Sequence, residues 1–216
     1  MDTQKDVDFI IEKTQTWLTQ AVIGLNLCPF AKAPHVKGLI NYRVSQAQDV
    51  QGLINDLHQA LEELAEANPN QIETTLLIHP WVLNDFMEYN DFLDLADELV
   101  EELDLSGILQ VASFHPDYQF AGTHKDDISN YTNRAPYPTL HLIREDSIDK
   151  AVAAFPEAEQ IYETNIVIKF ITISHHSFSE ILFCLNFRHV ANINIENSSF
   201  CSSNHSINHD TIFNHS

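Results

Sequence analysis

Val7, Ile10, Ile11, Thr14, Trp17, Leu18, Ala21, Val22 and Leu25 recur every three or four positions. That spacing predicts one face of an amphipathic helix. The helix should end near 26–29, because Pro29 restricts the residue before it. "LINYRV" (39–44) reads as a short strand. Ser45 with Gln48 three residues on is a capping-box pattern, and Val50, Leu53, Ile54, Leu57, Leu61 and Leu64 mark a second helix behind it. Asn68-Pro69-Asn70 breaks that helix. "TTLLIH" (74–79) is a compact run of strand formers stopped by Pro80. Phe86, Tyr89, Leu93, Ala96, Val100 and Leu103 form a third helical face, with Gly107 as its stop. "ILQVASF" (108–114) and "TLHLIR" (139–144) are the next strands, separated by a long loop. Asp146 or Ser147 caps a short helix through Val152, interrupted at Pro156, and a further helical turn is expected at 157–165.

Strands alternating with helices predict an α/β fold, a small mixed sheet of four strands packed by helices. The crossovers predict parallel pairs with right-handed connections, while the last strand is free to join in either direction. The expected domain spans 1–166.

Beyond about Val167 the pattern fails. Residues 167–216 contain neither glycine nor proline, and their only charged residues are Lys169, Glu180, Arg188, Glu196 and Asp210. Asparagine, serine and histidine dominate, including His175, His176, His189, His205, His209 and His215. A segment without turn residues or charged faces is expected to be a non-globular tail. An out-of-frame or divergent terminus accounts for this composition more simply than a histidine-rich metal-binding extension does.

Composition narrows the function classes. Aspartate and glutamate number 31 against 11 lysines and arginines, a formal charge of −20. Such a surface repels nucleic acid and anionic membranes, so neither is expected as a partner. Three cysteines outside any C-x-x-C spacing fit a reducing compartment, and the N-terminus lacks a signal-peptide pattern. With no long apolar run for a membrane span, a cytoplasmic protein is expected. The sequence names no cofactor and leaves the oligomeric state open.

The segment "SFHPDYQFAGT" (113–123) carries the densest candidate chemistry. Ligands of α/β sheets bind beyond the carboxyl ends of parallel strands. His115 and Asp117 lie just past one predicted strand end, and His79 past another. The loop "DYQFAGTHKDDISNYTNRAPYP" is long enough to be functional, and Tyr118, Phe120, Tyr131 and Tyr137 argue for order. It also carries Asn130, Asn133 and Arg134, the last a planar fork suited to carboxylate or phosphate. Arg43 and Arg144 are the other arginines before the tail. His141 lies within a strand, where a structural role competes with a site role. Cys28 follows the first helix at its C-terminus, the wrong end to stabilise a thiolate, so burial as a small apolar residue competes with a nucleophile served by His79 or His115.

"VIGLNLCPFAK", "NDFLDLADELV" and above all "ASFHPDYQFAG…NYTNRAPYPTLHLIRE" resemble a bacterial family catalogued as domain of unknown function 1415, over about residues 5–166. The resemblance implies no activity. It directs attention to Cys28, His115, Asp117, Tyr118, Asn130, Tyr131, Asn133, Arg134, Pro136 and His141. After "YETNI" the chain departs from the family pattern at "VIKFITISHH".

Three functions are compatible with these residues. The first is a small-molecule enzyme doing acid–base hydrolysis or group transfer on an anionic substrate. Here His115, oriented by Asp117, is the acid or base, with Cys28 as a candidate nucleophile. Tyr118, Asn130, Asn133, Arg134, Arg144 and His141 hold the substrate. The second is a metal-dependent variant with His79, His115 and Asp117 as ligands. The third is a ligand-binding or regulatory module without turnover.

Overall fold

The computed structural model describes residues 3–25, 27–28 and 30–154. Helix α1 (Thr3–Thr16) continues into a π-helical segment (Trp17–Ile23) and is followed by a short α2 (Lys32–Lys37). Then come β1 (Ile40–Val44), α3 (Val50–Glu66), β2 (Thr74–Ile78), α4 (Phe86–Glu102), β3 (Leu109–Phe114), a 3-10 turn (Ile128–Thr132), β4 (Thr139–Arg144) and α5 (Glu145–Ala154). The expected tail over 167–216, and the helical turn at 157–165, lie outside the described residues.

The sheet is mixed, in the order β1-β2-β4-β3. β1 and β2 pair parallel, while β4 pairs antiparallel with both β2 and β3. β1, β2 and β3 therefore share one direction, but β4 is wedged in reverse between β2 and β3, so the parallel pair expected of those two strands does not form. This settles how the last strand joins, and it places the carboxyl ends of β2 and β3 at the same edge.

Period-two alternation divides the sheet into two apolar faces. Leu77, Leu109, Leu140 and Leu142 pack with Leu53, Leu57, Leu61 and Leu64 of α3 and with Tyr89, Phe92 and Ala96 of α4. The opposite face presents Leu76 and Ile78 to Ile10, and Phe114 to Trp17, Leu18, Ala21 and Val22. The result is three layers, with helices on both sides of the strands. Among the described residues, no helix is long and apolar enough to cross a membrane.

Local chemistry explains the boundaries. Asp49 rather than Ser45 caps α3, its carboxylate accepting the Gly52 N–H at 2.8 Å. Ser45 instead donates to Asp56 at 2.6 Å and accepts from the Ala47 N–H. Asp85 caps α4 by accepting from the N–H groups of Met87 and Glu88. The single first helix expected from periodicity is interrupted, because the Gly24 N–H bonds Thr19 O, five residues back, at 3.0 Å. Pro34 sits in the first turn of α2, where its missing N–H is harmless, and Gly38 ends that helix at φ 69°.

Candidate functional site

His79 and His115 both emerge at the carboxyl edge, as parallel strands require, and both are fully buried (0% exposed). Tyr89 of α4 touches both. Its ring stacks on His79 at 5.6 Å and tilts against His115 at 5.1 Å. Its hydroxyl donates to Thr139 O at 2.9 Å and accepts the Phe114 N–H at 3.1 Å. A tyrosine on a buried helical face needs such a partner. Periodicity shows Tyr89 as a core position, but not the strand ends that its oxygen ties together.

Each imidazole reads a carbonyl of the turn between β2 and α4. His79 Nδ1 lies 3.0 Å from Val82 O, and His115 Nε2 lies 3.3 Å from Leu83 O. Leu83 has φ 56°, a left-handed conformation that costs a non-glycine residue about 1 kcal/mol. His115 Nδ1 accepts the Asp117 N–H at 3.0 Å, which fixes its proton on Nε2. Burial holds the pKa of His115 below the ordinary imidazole value, against the Leu83 carbonyl and the Asp117 carboxylate, which favour the charged form. Burial pushes His79 down to about 4, with Val82 O opposing and His115 adding to the shift. Both rings are neutral at pH 7. Because His79 donates through Nδ1, its Nε2 carries a lone pair, and that nitrogen is buried without a partner.

The orienting group on His115 is therefore the backbone of Asp117, not its carboxylate. The carboxylate faces Lys125 at 3.3 Å on the surface. Neither nitrogen of His115 is left for a metal, so His79, His115 and Asp117 do not form a ligand set. Among the described residues, no group of three or more His, Cys, Asp or Glu is arranged to hold a metal ion.

The loop after β3 is ordered by the side chains expected to bind substrate. Asn130 Oδ1 accepts from the Phe120 N–H at 2.9 Å and from Thr123 Oγ1 at 2.8 Å, while Nδ2 donates to His124 O at 2.7 Å and to Lys125 O. Asn133 Nδ2 donates to Ser113 O, and its own carbonyl accepts the His115 N–H at 3.0 Å. Arg134, 6% exposed, donates from Nε to Tyr118 O at 3.2 Å and from Nη2 to Lys125 O at 2.7 Å. Its guanidinium lies 4.3 Å from the centre of the Tyr131 ring. Trp17 Nε1 closes the network by donating to Arg134 O at 3.1 Å. The Tyr118 ring packs between Phe86 and Phe120, and burial raises its pKa despite a hydrogen bond with Ser113.

Three expected residues lie elsewhere. Arg144 pairs with Leu109, at the start of β3, whereas His115 follows the end of β3. The antiparallel course of β4 thus carries Arg144 to the opposite edge of the sheet. There its Nη2 donates to Leu64 O at 2.5 Å, Ala67 O at 2.7 Å and Ile72 O at 3.3 Å, closing the end of α3. His141 is mid-strand. Thr74 Oγ1 donates to Leu142 O and accepts from His141 Nε2 at 2.7 Å, and burial pushes His141 down to about 4. Cys28 packs partly buried against the Trp17–Phe114 cluster. Burial pushes its thiol up to about 12, outweighing the N–H groups of Phe30 and Ala31, so it is protonated at neutral pH rather than activated. Arg43 faces α3, pairing with Glu63 at 2.6 Å and with Gln59.

Two residues with no sequence signal beyond their apolar side chains border this edge. Trp81, in the turn read by the imidazoles, is 38% exposed, and Met87, in the first turn of α4, is 64% exposed.

Neither a curated protein nor a solved structure matches the chain significantly. A family model for proteins of unknown function, DUF1415, matches residues 9–176 and so continues past the departure at 167 as far as His176. Covering most of the chain and the whole of the site just described, that match shows that the protein belongs to the DUF1415 family.

Proposed function

We propose that the protein is a cytoplasmic small-molecule enzyme that takes an anionic substrate at the carboxyl edge of its sheet. There it performs acid–base hydrolysis or group transfer. One observation carries this reading. Arg134 is a nearly buried cation whose Nε and Nη2 donate to the backbone carbonyls of Tyr118 and Lys125, and among the described residues it forms no salt bridge with a carboxylate. Backbone carbonyls and the Tyr131 ring hold the guanidinium without neutralising it. A cation fixed in this way suits a carboxylate or phosphate. The neutral His79, with its lone pair on Nε2, supplies the general-base form of an imidazole at the same edge of the sheet. His115 has the same protonation state but both nitrogens engaged, so it supports the turn more than it exchanges protons.

The test is a thermal-shift screen of small carboxylates and phosphates, followed by a turnover assay on each compound that stabilises the protein. A stabilising anion consumed by the wild type but not by His79→Gln supports the enzyme. A second reading, binding without turnover, is favoured by how completely Asn130 and Asn133 are engaged in holding the loop. It predicts tight anion binding with no product. A protein stabilised by no anion fits neither.

A further inference from the structure

We propose that the outer edge of β1 docks an extended segment of a partner protein, added as a further strand, whose acidic end lies beside α2. β1 is an outermost strand of the sheet. In a parallel pair, alternate residues turn their N–H and C=O groups toward the neighbouring strand. The Glu73 N–H donates to Leu39 O at 2.9 Å, and the Ser45 N–H donates to Ile78 O at 2.8 Å. Odd-numbered residues of β1 therefore turn their backbone groups to β2, and those of Ile40, Tyr42 and Val44 face outward. Among the described residues, no backbone group bonds to them there. Sheet edges are ordinarily guarded by a lysine, a proline, a bulge or a covering loop. β1 contains neither lysine nor proline, and Arg43 is drawn onto α3 by Glu63 at 2.6 Å. Ile40, Tyr42 and Val44 are half-buried on the face they share with Ile10, while Asn41 reaches Thr75 on the other face. An added strand thus meets an apolar row on one face and a polar row on the other, so its own side chains alternate in kind.

Charge supplies the rest of the partner's chemistry. Residues 13–48 hold none of the chain's 31 acids, but four of its 11 lysines and arginines: Lys13, Lys32, Lys37 and Arg43. Lys32 and Lys37 are exposed on α2, and among the described residues neither forms an ion pair. The Leu39 N–H donates to Pro34 O at 2.9 Å, which ties α2 to the amino end of β1. A positive end on an otherwise acidic molecule favours carboxylates there. A second copy fits poorly, because its β1 lies in the same acid-free stretch and brings the α2 lysines with it.

The probes are the acetylated, amidated peptide Glu-Glu-Thr-Val-Thr-Val-Thr and its reverse, one for each strand direction, titrated against the full chain by fluorescence anisotropy. We expect one of them to bind one to one, at least tenfold tighter than the same peptide with lysine in place of glutamate. Lys32→Gln combined with Lys37→Gln, both at exposed positions, should abolish that preference. Hydrogen exchange carries the signature of strand addition. The bound peptide should slow the amides of Ile40, Tyr42 and Val44 at least tenfold and leave those of Asn41 and Arg43 as they are. Of two N-methylated peptides, one at both valines and one at the threonines, only one should bind, since a strand offers its neighbour every other amide. That comparison leaves the protein unaltered and does not depend on a variant folding. Binding by neither peptide, protection that misses the three outward amides, or equal binding of both methylated forms overturns the docking site. Equal affinity for the glutamate and lysine peptides overturns the acidic partner. Outward amides already protected without peptide overturn the proposal too: at every protein concentration, the chain covers its own edge, and with protection rising with concentration, a second copy does.

Discussion

His79 and His115 hold consecutive carbonyls of one turn, Val82 O at 3.0 Å and Leu83 O at 3.3 Å, and both pack on the Tyr89 ring. This couples the exits of β2 and β3 to the start of α4. It also requires both rings to be neutral, since a proton on His79 Nε2 would have no acceptor.

That requirement gives stability a pH dependence. The folded-state pKa of His79 is about 4 against an ordinary value of 6.5, so the unfolded chain binds more protons between these values. Stability is fully present above about pH 6.5 and falls as pH drops toward 4. The loss from His79 alone is about 3 kcal/mol, with His141 acting in the same direction and window. Urea unfolding at pH 8, 7, 6 and 5 should show a midpoint falling with pH, and His79→Gln should flatten the slope. An unchanged slope in that variant would show that the ring is already charged or solvated in the folded state.

Arg144 illustrates a charged residue whose conspicuousness in sequence misleads. In an acidic chain, an arginine at a strand end invites a ligand. Its guanidinium instead closes α3 by donating to the carbonyls of Leu64, Ala67 and Ile72. Arg144→Met should cost on the order of 3 kcal/mol, since it strands several buried carbonyls. Anion affinity measured on the folded variant should remain at the wild-type level. A large loss of affinity without a loss of stability would return Arg144 to the binding machinery.

Sequence carried the fold further than the site, for a physical reason. Apolar periodicity reports burial, so α3, α4, β2 and the alternation of Leu140, His141 and Leu142 are all legible. Strand direction is not: "TLHLIR" reads the same in either direction, and only the antiparallel pairing separates Arg144 from His115. The loop of 115–138 was legible as an ordered, polar segment through its aromatics. The roles of Asn130, Asn133 and Arg134 were not, because their partners are backbone carbonyls and amides, which every residue carries. The π-helical segment left no signal in periodicity either, since Trp17, Leu18, Ala21 and Val22 also fit an ordinary helix.

Gly24 is the clearest mark of that segment. A Cβ placed there would collide with the carbonyl oxygen of Gln20, because the chain is wound to bring the Gly24 N–H onto Thr19 O. Its φ of −61° is ordinary, so the constraint is space and not backbone conformation. Gly24→Ala should destabilise the protein by about 1–3 kcal/mol, through forced displacement of the packed turn. Circular dichroism should show helix content unchanged while the thermal midpoint falls. A stabilised variant would mean that the segment relaxes into an α-helix without loss of packing.

Asn130 offers the most direct control over the candidate site, because one amide holds both limbs of its loop. Its oxygen accepts from Phe120 N–H and Thr123 Oγ1, and its nitrogen donates to the carbonyls of His124 and Lys125. Lys125 O is shared with Arg134 Nη2, so loosening this turn also loosens the cation. Asn130→Ala should cost about 2–3 kcal/mol from buried groups left unpaired. Amide exchange at Phe120 should accelerate by at least tenfold, while amides in the β2–β4 ladder keep their relative protection. Anion affinity should fall with it, because a guanidinium that is free to move must be ordered again when the ligand arrives. Full exchange protection at Phe120 in that variant would show that Thr123 and Arg134 hold the loop without Asn130.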